Sequence, residues 1–279
     1  MKSDLQGVGG ASVLASRFLQ RVATARGDAR PTKLLLLLAV LILFFAVGAT
    51  AETTNALSKA EIEGRELAQQ LCDARPAESF TNTGVFEIRD GKGNRTNYPV
   101  KFAVIVEATN WSCIYDATQK PKSDQPIFVY ILSITHSERE PNDYITFADH
   151  GLGASISNTE TMFPFRHSDF WLADLGLEFF HWPQQKILKR EVRRSRGCAV
   201  LESTNPNPST NGYSRVVSWI DSESGGIVHA ETYDFKNKLL KEFDPKSFKK
   251  VNGQWELQEM EIRNVQTGSR TRLEFDLKK

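Results

Sequence analysis

The sequence predicts a mainly β protein built on one large antiparallel sheet or barrel, with a single helix ahead of it. Three observations lead there. From Thr83 onward, short runs rich in Val, Ile, Phe, Tyr and Thr are divided by turn residues at intervals suited to an antiparallel meander. Before them, and after residue 51, only one stretch has strong helical spacing. The composition, 40% hydrophobic and 25% charged, is that of an ordinary globular protein and excludes a disordered chain.

The helix comes first. Ser58 with Glu61 makes a capping-box pattern, Leu57, Ala60, Leu67, Ala68 and Leu71 recur on one helical face, and Pro76 marks the latest end. Strand candidates then follow at 83–89, 98–108, 110–117, 126–136, 143–149, 185–192 and 197–204, with Asp90 to Gly93 as the first turn. The last third continues at 213–221, 227–235, 238–243, 255–264 and 269–277, the first two joined by a turn through Ser222 to Gly226. At least ten strands point to a large sheet or barrel.

One interval breaks the rhythm. Phe163, Phe165, Phe170, Trp171, Leu172, Leu175, Leu177, Phe179, Phe180 and Trp182 crowd between Thr161 and Gln185. Phe170, Leu172 and Leu175 fit no two-residue alternation, whereas a helical turn or two ending near Gly176, capped by Asp169, groups part of the set on one face. Two readings stay open: a helix that fills the core across a curved sheet, or a lid or wall over an apolar cavity, with Phe163, Phe165, Phe170, Trp171 and Leu175 at its wall or mouth.

The first 51 residues have the layout of a signal peptide. The run 34–51 carries no charge, follows Arg26, Arg30 and Lys33, and ends in Ala49, Thr50 and Ala51, the small residues that signal peptidase accepts. Its eighteen residues are also just long enough to span a bilayer, so an uncleaved inner-membrane anchor is the competing reading. The region ahead of it is long for a signal, and Val13 or Val22 are alternative starts. No Cys follows the apolar run directly, so the mature chain is not expected to be a lipoprotein. Removing residues 1–51 takes away six basic and two acidic residues of 35 and 34, leaving 29 basic against 32 acidic. A slightly acidic mature chain lacks the basic surplus that nucleic-acid binding requires.

Export implies an oxidising compartment, in which three cysteines allow one bridge and a spare thiol. Cys113 and Cys198 both fall in strand candidates, and neighbouring strands meet the short Cβ separation of a disulfide, so that pair is expected, with Cys72 of the helix left free. Three unpaired thiols are the alternative.

No catalytic or metal motif emerges. His136, His150, His167, His181 and His229 have no metal-ligand spacing, and neither a nucleophile elbow nor a P-loop is present. Gly151, Leu152 and Gly153 fail as a dinucleotide loop because Ile156 stands where the third Gly belongs. Asp221, Glu223 and Asp234 sit near turns, where carboxylates are ordinary. The expectation is a protein that is not an enzyme and has no metal or cofactor.

The C-terminal part resembles the LolA-like outer-membrane lipoprotein-sorting family. The resemblance rests on Tyr213 to Asp221, His229 to Asp234, Asn252 to Trp255, Met260 to Asn264 and Thr267 to Thr271, together with Ser168, Asp169, Phe170, Asp174 and Leu175. It covers roughly residues 165–279. It implies an incomplete antiparallel β-barrel, formed here by one domain over 52–279, whose helices close the mouth of a hydrophobic cavity that takes up lipoprotein acyl chains in the periplasm. Burial is worth about 0.8 kcal/mol per CH₂, so an acyl chain or another lipid needs no catalytic residue to be held. Membrane-bound donor and acceptor proteins are the partners such a carrier implies. A periplasmic or membrane-anchored sensor of the same fold is the second reading, and an enzyme with an unadvertised polar cleft is the third. The mature chain is expected to begin at Glu52. Sequencing the N-terminus of protein released from the periplasm checks this, and retention of 34–51 in the membrane fraction would replace the soluble form by an anchored one.

Overall fold

A computed structural model describes residues 57–119, 129–138, 140–148, 153–156, 160–251 and 254–277. The apolar run 34–51 and the expected cleavage site lie outside the described residues. Helix α1 spans Lys59–Cys72 and starts as its sequence dictates: Ser58 Oγ accepts from Glu61 N at 3.3 Å, and Glu61 Oε2 accepts from Ser58 N at 2.7 Å.

Among the described residues, thirteen strands form one antiparallel sheet. Their ranges are β1 Phe80–Arg89, β2 Arg95–Val106, β3 Asn110–Asp116, β4 Tyr130–Ser137, β5 Asp143–Ala148 and β6 Gly153–Ile156 in the first meander. The second meander holds β7 Gln184–Arg193, β8 Arg196–Thr204, β9 Tyr213–Asp221, β10 Ile227–Asp234, β11 Leu239–Val251, β12 Gln254–Asn264 and β13 Arg270–Asp276. The two meanders are fused because β1 pairs with β13, from Thr83 opposite Asp276 to Arg89 opposite Arg270. The order is therefore β6-β5-β4-β3-β2-β1-β13-β12-β11-β10-β9-β8-β7, open at both ends: a curved sheet that does not close into a barrel.

The expected turn between β1 and β2 is built as its residues require, with Asp90 Oδ1 accepting from Lys92 N and Asn94 N, both at 2.9 Å, and Gly93 at φ +92°. Two departures from the sequence reading stand out. β6 was not expected, and β11 runs well past 243 because Pro245 sits at a register shift, where the missing N–H costs the ladder nothing.

Alternation sorts the side chains onto two faces. The inner face carries one apolar cluster with Phe86, Tyr115, Leu132, Ile134 and Leu273, and a second with Ile187, Leu201, Val216 and Ile220. Ala68 of α1 joins the second cluster. Gly64 is what lets the helix approach, since a Cβ there would stand 2.6 Å from the Lys186 Cα of β7. The outer face holds a smaller cluster, with Cys198, Val200, Val217 and Trp219, and a lattice of ion pairs such as Lys246–Glu261 at 3.0 Å and Arg272–Glu259 at 2.8 Å.

These faces overturn the expected disulfide. Cys113 of β3 packs against the inner face and Cys198 of β8 lies on the outer one, with β2, β1, β13, β12, β11, β10 and β9 between them. All three thiols are free. Burial, its principal cause, pushes both the Cys72 and the Cys113 thiol up to about 12, so neither is a reactive thiolate at neutral pH. The denaturation midpoint should therefore be the same with and without reductant, and a thiol titration of the unfolded chain should count three. A reductant-dependent midpoint would restore the bridge.

Candidate functional site

Because β6 and β7 are the two outermost strands, the chain between them has to cross the sheet from edge to edge. It does so over the inner face, and this crossing is the aromatic interval that broke the strand rhythm. Its regular pieces are short: 3₁₀ turns at Phe165–His167 and Glu178–His181 and one helical turn, α2, at Leu172–Leu175. The first half folds back on itself as a plug, with Phe165 N donating to Phe170 O at 2.8 Å and Leu172 N to Phe163 O at 3.1 Å. Arg166 and His167 at its tip both have positive φ, 49° and 60°, a tight reversal closed by Ser168 N donating to Phe165 O at 2.9 Å.

Four of the five residues expected at a cavity wall or mouth meet the inner face. Phe165 is fully buried, with ring centroids 5.6 Å from Phe86 and 5.1 Å from Tyr130, and Phe170 lies 5.9 Å from Phe86. Leu175 is buried in the same cluster. Trp171 stacks on Tyr213 of β9 at 4.5 Å and 10°. Phe163 instead stands at the surface, 36% exposed.

Polar anchors fasten the plug, and sequence reasoning missed the central one. Lys241 of β11 is 1% exposed; its Nζ donates to the Asp169 carbonyl at 2.7 Å, pairs with Asp174 Oδ2 at 3.4 Å and lies 3.7 Å from the Trp171 ring centroid. Tyr213 Oη donates to Asp174 at 3.0 Å. Burial lowers the Lys241 amine to about 8, against the pull of Asp174 and Asp169. The signal was there: Lys241 and Phe243 alternate onto one face just after Leu239 and Leu240, and a lysine among apolar residues calls for a buried partner. Asp169 does not cap α2. Its carboxylate takes hydrogen bonds from Ser269 Oγ at 2.5 Å and Thr271 Oγ1 at 2.9 Å on the β13 side, and Asp174 accepts from Trp171 N at 2.8 Å in its place.

The second half of the crossing is anchored by Glu178, 4% exposed, which accepts from Tyr144 Oη at 2.9 Å, while Asn142 Nδ2 donates to the Gly176 carbonyl at 2.8 Å. Gly176 admits no side chain, since a Cβ would sit 2.1 Å from Tyr144 Oη. Beyond it, α1 and the end of the crossing bound a half-open cleft of about 290 Å³ between Arg65, Cys72, His181, Trp182 and Gln185. Among the described residues no group of His, Cys, Asp and Glu has the arrangement to hold a metal ion. The depressed Lys241 amine is enclosed by the plug it holds.

Burial, opposed by the hydrogen bonds from Tyr144 and Asn142, raises the Glu178 carboxyl from 4.5 to about 7. The folded state then binds a proton that the unfolded state has lost, so this contribution is complete below about pH 4.5 and disappears as pH rises through 7. Denaturant stability should fall by up to about 3 kcal/mol over that window. Glu178→Gln, which keeps an acceptor for Tyr144, should flatten the profile; an unchanged slope would assign it to another group.

A family model described as an uncharacterized protein matches residues 129–278, more than half of the chain. Three solved structures are similar. A DUF1329 family protein from Desulfovibrio piger aligns with a TM-score of 0.62 at 19% identity, over 78% of this chain and 92% of its own. A domain from Vibrio parahaemolyticus named for outer membrane lipoprotein sorting gives 0.62 at 21%, with the same 78% and 92% coverage. A LolA superfamily protein from Nitrosomonas europaea gives 0.52 at 16%, over 79% and 93%. No curated protein sequence matches the chain. At these identities the likeness is one of fold. The chain belongs to the uncharacterized family whose model spans residues 129–278, and its open antiparallel sheet has a LolA-like fold.

Proposed function

We propose that this protein is a periplasmic carrier of apolar ligands, with lipoprotein acyl chains as the favoured cargo, and that it works without covalent chemistry. The observation that carries the reading is the way the inner face is closed. An apolar surface running from β5 through β1 to β12 is covered by a short irregular plug rather than by further sheet. Strands at that position would be fixed by a backbone ladder. The plug is held by side chains, chiefly Lys241 and Asp169, and by ring contacts that an acyl chain can replace with contacts of equal kind. Cargo then lies where Phe165 and Phe170 now pack, and displacing the plug opens the site. The apolar run 34–51 supports export, and the LolA-like fold supports a lipid as ligand.

Mass spectrometry of lipid extracted from gently purified protein, and titration with a fluorescent fatty acid, test this together. Copurifying lipid and saturable binding are expected. Phe170→Ala should cost about 3 to 5 kcal/mol, since the plug in its closed state is solid core. Trp171→Ala, which removes the ring beside Lys241, should loosen the plug and change fatty-acid affinity on a folded protein. Absence of both copurifying lipid and fatty-acid binding in the wild type would sink the carrier reading.

A further inference from the structure

The β11–β12 hairpin is the longest strand pair of the sheet, and its ladder outruns those on either side. Pairing with β10 covers only Leu239 to Phe243 of β11, and pairing with β13 covers only Glu259 to Arg263 of β12. Among the described residues, 248–251 and 254–257 therefore have no ladder partner other than each other.

The register gives this end two unlike faces. Val251, Lys249 and Glu256 turn inward: Val251 is buried in the first apolar cluster, and Lys249 Nζ donates to the Leu277 carbonyl. Phe248 opposite Leu257 and Lys250 opposite Trp255 turn outward. Trp255 is 63% exposed and Phe248 54%, the two most exposed aromatic side chains among the described residues. Lys250 is exposed with no acidic partner among the described residues, whereas Lys246 on the same strand is tied to Glu261. The carrier mechanism uses none of these residues.

We propose that this hairpin end docks on a lipid surface, with Phe248, Trp255 and Leu257 entering the interfacial layer of a bilayer and Lys250 facing its anionic headgroups. Tryptophan suits that layer, having an apolar ring and one N–H that keeps a polar partner, and a lysine beside it adds attraction to anionic lipid. Size favours a bilayer over a protein: a two-stranded end with one exposed face offers little of the broad area that a stable protein interface buries, but shallow insertion needs only such a face. The inference stands whether or not the inner face carries cargo.

The test uses the full chain with vesicles of phosphatidylethanolamine and phosphatidylglycerol, with pure phosphatidylcholine as the neutral control. Both protein forms compared carry the same residues 1–57, so differences between them report on the hairpin. Phe248→Ala with Trp255→Ala should weaken cosedimentation with the anionic vesicles by about tenfold. Lys250→Gln should reduce the preference for anionic over neutral vesicles. With bromine-labelled lipid, quenching of tryptophan emission should drop in Trp255→Phe, which removes one of the five tryptophans but keeps an apolar ring. Equal quenching in Trp255→Phe, or unchanged cosedimentation of the double variant, overturns the proposal. So does a wild-type dimer that the double variant dissolves while vesicle binding stays the same, because this end then meets a second copy of the chain.

Discussion

The pairing of β1 with β13 governs the rest of the structure. It joins two meanders by their first and last strands, which sends β6 and β7 to opposite ends of the sheet. The chain between those two ends has no short route. It must traverse a face of the sheet, and the apolar one is where its aromatic residues are stable. The plug is thus a connection before it is anything else. Its irregularity follows from having to bridge a wide curved surface while matching side chains already set by the strands.

A buried lysine is a costly way to hold such a connection, because removing a charge from water is repaid only by a complete set of partners. Lys241 has them: a carbonyl, a carboxylate and the face of an indole. Replacing the group by a hydrocarbon of similar size would leave the Asp169 carbonyl without this donor and Asp174 with only Tyr213 and the Trp171 N–H. The ammonium therefore fixes where the plug sits more than how strongly it is held. Apolar contacts alone would let a Phe-rich segment slide among similar arrangements. Glu178 plays the matching part in the second half of the crossing, giving the plug two polar registration points.

Much of this was legible in the sequence. The capping box at Ser58, the turn at Asp90 and most strands follow from local patterns, which is where single-sequence reading is strongest. The aromatic interval was rightly separated from the strands, though Asp169 was read as a helix cap and proved to be a tie to β13. What failed depended on pairing order. Alternation places Cys113 and Cys198 in strands but says nothing of how many strands separate them, nor that they occupy opposite faces. The strand read at 238–243 runs on past Pro245, and local rules cannot see the register shift that accommodates it. Lys241 was passed over, although Phe243 two residues on is apolar and shares its face.

The docking of α1 on β7 has a consequence for solubility. An open sheet leaves two strands with unpaired backbone groups, which invite pairing with another molecule. β6 is only four residues long, a poor template. β7 is ten, and it is the strand α1 approaches closely enough at Gly64 to touch the backbone of Lys186. Lys189, Arg190 and Glu191 add charge farther along the same strand, and Arg190 reaches back to Glu63 of the helix at 2.8 Å. The helix thus works as a guard rail for the longer margin, and the glycine that lets it come close helps keep one copy of the sheet from growing into the next.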